Sequence, residues 1–202
     1  TNWNGITGRI ELIGYKNAHA ENVMLWCDIY SKTVRVTANI TGGKSGKAVI
    51  SAENFNSEKN HTPAVQSFEY TDVKLDALYK MGDDCLLWSE HEPNLYKLKI
   101  DIDGDVSEHI IGMREFRTEG GKFTINGEKT FLRGKHDGMI FPKTAFAPTD
   151  LDEWLRVMKI SKSYGMNHYR YHTCCPPESA FIAADMPVSY THLRAHETGR
   201  NL

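Results

Sequence analysis

The sequence lacks any apolar run near the roughly 20 residues that a membrane-spanning helix needs, so no membrane span is expected. It also lacks an excess of charge of either sign: 24 Lys and Arg stand against 26 Asp and Glu, a formal net charge of -2. Nothing in that balance favours nucleic acid or an anionic membrane surface as a partner. Cysteine is scarce, and the four present, Cys27, Cys85, Cys174 and Cys175, nowhere take the C-x-x-C spacing of a zinc site. Cys174 and Cys175 are adjacent, where a disulfide is strained. All four are therefore expected as free thiols, mostly buried, with no metal or cofactor. No basic-then-apolar leader follows Thr1; a leader lost with a missing N-terminus is compatible with that, so the compartment stays open, a periplasmic or secreted one included.

Helical periodicity is missing from the first hundred-odd residues, and strand periodicity takes its place. Val34, Val36, Ala38 and Ile40 alternate with Thr33, Arg35, Thr37 and Asn39, the period of a half-buried strand. Tyr96, Leu98, Ile100 and Ile102 alternate with Lys97, Lys99, Asp101 and Asp103, and Asp103-Gly104 closes that strand as a hairpin turn. Further strands are expected over 23–30, 48–52, 65–75 and 106–113, with Phe68 and Tyr70 on one face of the strand over 65–75. Short strands separated by turn signals predict an antiparallel sandwich over residues 20–113.

The pattern then changes. Phe123 to Phe131 reads as a hairpin about Asn126-Gly127. Thr149 is placed as the N-cap of a helix that carries Leu151, Trp154, Leu155, Met158 and Ser161 at helical spacing and ends at Gly165. Residues 166–173 read as a short strand, and Pro176-Pro177 opens a second helix with Phe181 and Ala184 on one side. Strand, helix, strand, helix is the opening of a parallel α/β unit.

In a (β/α) barrel, reactive groups gather where strands end. Two such ends are visible, Lys135-His136-Asp137 and Asn167 to Thr173. His136, Asp137, Arg170 and His172 are the candidates for binding sugar hydroxyls or orienting a catalytic carboxylate. Each has a plainer reading beside it. Arg170 reads equally as an interior ion-pair arginine, and the two histidines as ordinary hydrogen-bonded ones. Arg133 reads as structural, and Trp3, Trp88 and Trp154 as packing residues. Glycoside hydrolysis with retention needs two carboxyl groups about 5–5.5 Å apart. Asp150 and Glu178 read as helix N-terminal charges, which leaves Asp137 alone, so no catalytic pair is assigned.

Together these stretches carry a resemblance. Gly112-Met-Arg114-Glu-Phe116, Asn126-Gly127 and Phe131-Leu-Arg133-Gly134 resemble the passage from sandwich to barrel in family 2 glycoside hydrolases. Leu87-Trp88-Ser89 with Pro93-Asn94-Leu95-Tyr96 resembles a sandwich segment of that family. Asn2-Trp3-Asn4-Gly5 is similar to the last turn of its preceding sugar-binding jelly-roll domain. Gly165-Met-Asn167-His-Tyr-Arg170-Tyr-His172 with Pro176-Pro177 resembles its second barrel strand and helix.

The resemblance implies a β plus α/β chain: 1–19 the end of the jelly roll, 20–113 an immunoglobulin-like β-sandwich, and 114–186 the first strands and helices of a (β/α)8 TIM barrel. It implies a retaining enzyme on terminal β-linked sugars, β-galactosidase-like by the family's frequencies, with an oligo- or polysaccharide as substrate. Its two catalytic glutamates would lie on later barrel strands, so this chain by itself is expected to be inactive. The segments Lys135-His136-Asp137-Gly138 and Tyr171-His172-Thr173-Cys174-Cys175 depart from the family's common galactosidase pattern, which leaves the sugar open. The competing reading is a carbohydrate-binding or adhesion sandwich without catalysis. Residues 187–202 resemble translated adapter sequence and are expected to be disordered or a frayed helix extension; a metal site at His192, His196 and Glu197 is not expected.

Overall fold

In the computed structural model of the chain, residues 10–172 and 174–186 are described, together with the backbone of 192–195. The chain divides into two units, one of residues 13–130 and one of residues 1–12 with 131–202.

The first unit is a sandwich of two antiparallel sheets. One has three strands, in the order β1 (His19–Asp28), β2 (Thr33–Thr41), β5 (Lys74–Lys80). The other has four, in the order β4 (Gln66–Tyr70), β3 (Gly46–Asn54), β6 (Tyr96–Ile102), β7 (Asp105–Ile111). Alternation decides which residues meet between them. Val34, Val36, Ala38 and Ile40 from one sheet bury against Leu98, Ile100, Ile102 and Ile50 of the other. The intervening Lys97, Lys99 and Arg35 stay at least partly in solvent. The expected turns at Asp103-Gly104 and Asn126-Gly127 both hold two residues at positive φ, the backbone of a type I′ hairpin.

The strand expected over 65–75 is two strands. β4 pairs with β3 in one sheet and β5 with β2 in the other, so the chain changes sheets at Asp72-Val73. Both residues are left-handed, at φ 51° and 58°, an unfavourable region for a β-branched residue. Val73 is held there by its own backbone: its N–H donates to Lys44 O at 3.2 Å and its C=O accepts from Ile40 N at 2.8 Å. A Val in that place carries no turn signal in the sequence.

A three-stranded meander, β8 (Phe116–Glu119), β9 (Lys122–Ile125) and β10 (Glu128–Lys129), completes this unit. Asn126 ties it to the loop before β8 and to Trp88: its Oδ1 accepts from Glu115 N at 2.9 Å and its Nδ2 donates to Trp88 O at 2.9 Å. The break between units therefore falls at Phe131, not at the Arg114 expected from sequence.

The second unit is built on parallel pairing. β11 (Gly134–Asp137) lies parallel to β12 (His168–Tyr171), with α1 (Leu151–Ser163) between them in sequence and α2 (Glu178–Asp185) following. Trp154 and Met158 of α1 pack on Tyr169 and Tyr171 of β12 and on Ala180, Ala183 and Ala184 of α2, all buried. The N-cap of α1 is Asp150, one residue beyond the Thr149 expected, and its carboxylate accepts from Glu153 N at 2.8 Å. Gly165, at φ 74°, donates its N–H to Lys162 O just past the helix end, the place expected for it. In α2 the buried stripe is Ala180, Ala183 and Ala184, with Phe181 only half-buried.

Against the expectation of disorder or helix, His192–Ala195 forms a further strand, β13, parallel to β12. Its four residues, His192-Leu-Arg-Ala195, alternate polar and apolar over too short a run to signal a strand. A sheet edge offers unpaired N–H and C=O groups that any extended backbone can meet, which is why composition gave no warning. The metal reading of this tail and the jelly-roll reading of Asn2–Gly8 fall on or include residues outside those described. Of the cysteines, Cys85 is buried, Cys27 and Cys174 are half-buried and Cys175 is exposed, so burial is less complete than expected.

Candidate active-site mouth at the ends of two parallel strands

The register of the parallel pair sets Gly134 against His168, Lys135 against Tyr169, His136 against Arg170 and Asp137 against Tyr171. Alternation then sorts these residues onto two faces. Lys135, Asp137, Tyr169 and Tyr171 face the helices. Gly134, His136, His168, Arg170 and, one residue past the strand, His172 take the other side.

On that second face three candidates come together. Arg170 Nη1 lies 3.0 Å from His136 Nε2. A guanidinium has no acceptor, so Arg170 donates and the imidazole must offer a lone pair at Nε2. The neutral tautomer with its proton on Nδ1 satisfies that. The rings of His136 and His172 stand edge to face with centroids 4.8 Å apart. His136 and His172 are exposed, and Arg170 is half-buried. The cluster therefore presents imidazole and guanidinium N–H groups at the end of the sheet, a surface matched to hydroxyl or carboxylate oxygens. Gly134 belongs to the same face for a steric reason: a Cβ there would meet His168 Cδ2 at 2.9 Å.

Asp137 does not join them. Its side chain is on the helix face and buried, with Oδ2 2.9 Å from Lys135 Nζ and Oδ1 accepting from Met139 N at 2.7 Å. Its carbonyl accepts from His172 N at 2.9 Å. The residue thus closes the turn after β11 and ties it to the end of β12. Strand parity is the signal that could have separated it from His136, because neighbours on a strand point to opposite sides.

Three groups near Asp137, Tyr171, Tyr169 and Cys174, have their pKa values raised. Burial pushes the Tyr171 hydroxyl well above its ordinary value, with the Asp137 charge adding to it. Burial does the same for Tyr169, whose hydroxyl is bonded to Ser161 of α1. The Cys174 thiol is raised by burial, then by Asp137 and Cys175. None of these is suited to give up a proton at neutral pH. The helix side of β11 opens into a groove lined by Lys135, Phe141, Lys143, Glu153 and Arg156, where Arg156 forms a two-point ion pair with Glu153.

The other acidic candidates have structural positions: Asp150 caps α1 and Glu178 lies in the first turn of α2. Arg133 takes the structural role expected of it, donating from Nε to Gly165 O at 2.7 Å. Trp88 and Trp154 are buried. Asn167, not singled out by sequence reasoning, fastens the start of β11: its Oδ1 accepts from Arg133 N at 2.7 Å and its Nδ2 donates to Phe131 O at 3.1 Å. Among the described residues, no three His, Cys, Asp or Glu side chains are grouped to hold a metal ion, and no helix is long and apolar enough to cross a membrane.

A two-sheet sandwich followed along the chain by a parallel β/α unit is a fold shared with solved glycosyl hydrolases that this chain resembles. The profile of glycosyl hydrolases family 2 matches residues 18–114, the span of the sandwich. A β-galactosidase of Leuconostoc mesenteroides is 24% identical over 186 residues, covering 82% of this chain and 18% of the relative. A solved β-glucuronidase of Faecalibacterium prausnitzii superposes with a TM-score of 0.70 at 15% identity, over 86% of this chain and 27% of that one. A β-galacturonidase from Eisenbergiella tayi, solved with galacturonate, gives a TM-score of 0.65 at 18% identity, over 87% of this chain and 32% of its own. The chain belongs to family 2 of the glycosyl hydrolases. It spans less than a third of the length of each of these three relatives.

Proposed function

We propose that this chain is part of a retaining glycoside hydrolase that removes terminal β-linked sugars, with residues 20–113 an immunoglobulin-like spacer, the β8–β10 meander an extension of it, and residues 131–186 the opening of a (β/α)8 barrel. The observation that carries the reading is the parallel pairing of β11 and β12 around α1, directly after a sandwich that matches the family profile. Parallel strands joined through a helix are the repeating unit of such a barrel, and the C-terminal ends of its strands hold the chemistry.

In this reading His136, Arg170 and His172 line part of the mouth. Arg170 and the imidazoles hydrogen-bond sugar oxygens or a catalytic carboxylate brought in by a later strand. Asp137 supports them from the helix side by fixing the turn. The acid/base and nucleophile of a retaining mechanism are two carboxyl groups about 5–5.5 Å apart, supplied by strands that follow those described. The 202-residue chain alone then turns over no substrate.

Galactosides are the first substrates to try, on the strength of the Leuconostoc relative; the uronidase structures make glucuronides and galacturonides the second. The test is to express the chain with its continuous downstream reading frame and assay nitrophenyl β-galactoside, β-glucuronide and β-galacturonide, following the anomer first released by NMR. Release of the β-anomer from one of them is expected. Release of the α-anomer, or hydrolysis by the 202-residue chain alone, would overturn the proposal.

A further inference from the structure

The outward face of the three-stranded sheet carries a feature that the hydrolase reading leaves unused. Trp26, on the edge strand β1, has 47% of its surface open to solvent. A tryptophan of a folded domain is ordinarily mostly covered, and this one sits on a flat sheet, away from a core position. Met24 flanks it along β1 and Leu78 lies on the same face of β5, both about half exposed. The register explains the grouping: Trp26 pairs with Arg35, Arg35 with Leu78, Met24 with Thr37, and Thr37 with Asp76.

Arg35 links the apolar and polar parts of the face. Its guanidinium carbon lies 5.8 Å from the centre of the Trp26 ring. The same group makes a two-point bond to Asp76, Nε to Oδ1 at 2.9 Å and Nη2 to Oδ2 at 2.7 Å. This pair is exposed on both sides, and an exposed ion pair contributes little to stability. What it does is fix a planar array of donors and acceptors beside an aromatic ring. The two charges cancel within the pair, while Lys74 and Lys80 of β5 and Asp28 of β1 stand farther out on the same face.

We propose that this face, centred on Trp26 with Arg35 and Asp76, binds a neutral oligosaccharide. A sugar ring has two chemistries: C–H groups with slight positive charge on its faces, and hydroxyls around its rim. The negative face of the indole accepts the first, and the Arg35–Asp76 pair accepts and donates to the second. Met24 and Leu78 widen the apolar floor for a neighbouring sugar unit. A charged glycan gains nothing from a pair that is already neutralised, and a purely apolar partner would strand the guanidinium and carboxylate. The inference goes beyond the hydrolase reading and needs no hydrolysis, so its failure leaves that reading untouched.

The experiment is electrophoresis of the full chain through native gels containing soluble β-1,4-galactan, galactomannan, mixed-linkage β-glucan or, as the charged control, polygalacturonate. Retardation by at least one neutral polymer is expected. Trp26→Ala should weaken it about tenfold or more, as removal of a central aromatic anchor does. Trp26→Phe should retain most of it and Arg35→Ala should weaken it, with unchanged thermal melting throughout. Three results would overturn the proposal: no retardation by any neutral polymer, equal retardation of Trp26→Ala, or retardation by polygalacturonate alone. A self-association in sedimentation velocity that Trp26→Ala abolishes, without glycan binding, would assign the face to a second copy and overturn it as well.

Discussion

Asp137 and His136 are neighbours in sequence and differ in everything that follows from strand parity. His136 shares a hydrogen bond with Arg170 on one face; Asp137 is buried on the other against Lys135 and the turn to Met139. Gly112 shows the same sensitivity to a single atom. A Cβ there would lie 3.0 to 3.1 Å from Cγ, Cδ1 and Cβ of the buried Trp88, the anchored part of that side chain, which cannot swing away. Gly112→Ala is expected to cost about 1–3 kcal/mol as overpacking, read as a lower urea midpoint. A midpoint at or above that of the parent chain would contradict the packing described. His61 gives a prediction in pH. The Tyr96 hydroxyl accepts from Leu86 N at 2.8 Å and lies 2.7 Å from His61 Nδ1. Burial lowers the His61 pKa from 6.5, opposed in part by Asp84, and burial lowers His109 as well. Folded pKa values below the unfolded ones mean that the unfolded chain binds more protons on acidification, so stability falls as pH drops below about 6.5. His61→Gln should destabilise at pH 7 and narrow its deficit at pH 5; a deficit that widens would refute the sign.

At the scale of elements, α1 is the segment whose origin in the sequence is clearest. Its apolar residues recur at helical spacing, Asp150 caps it, Asp152 and Glu153 occupy its first turn and Gly165 follows its end. Asp150→Ala should cost about 1 kcal/mol, and Trp154→Ala about 3–5 kcal/mol, both visible as earlier exchange of the α1 amides. Loss of protection confined to β1–β7 would show that α1 packs elsewhere. The strands β2, β6 and β7 were equally legible, because alternation in one chain segment suffices to define them. What stayed hidden depends on partners distant in sequence. The sheet change at Asp72-Val73 is imposed by bonds to Lys44 and Ile40, and β8 is fixed by pairing with β9. Of the site, sequence located the two strand ends but not the faces of the four candidates, from which Asp137 parts, since parity needs the register between strands. Trp26 was legible as part of an apolar strand, yet its exposure is decided by which side of β1 meets the other sheet.

At the scale of the whole molecule there are two units: a sandwich that matches a hydrolase family, and a parallel β/α unit whose strand ends carry His136, Arg170 and His172. In the proposed function the face holding these three meets the sugar while the face holding Asp137 holds the structure. It is tested most directly by measuring kcat/KM and melting temperature together for Arg170→Ala and Asp137→Asn in the protein carrying its continuous downstream frame. Arg170→Ala should lower kcat/KM by about a hundredfold or more, the cost of one lost donor in a preorganised site, with melting nearly unchanged. Asp137→Asn should lower the melting temperature, and kcat/KM should fall far less. The reverse pattern, activity lost with Asp137 at full stability and kept without Arg170, would contradict the account.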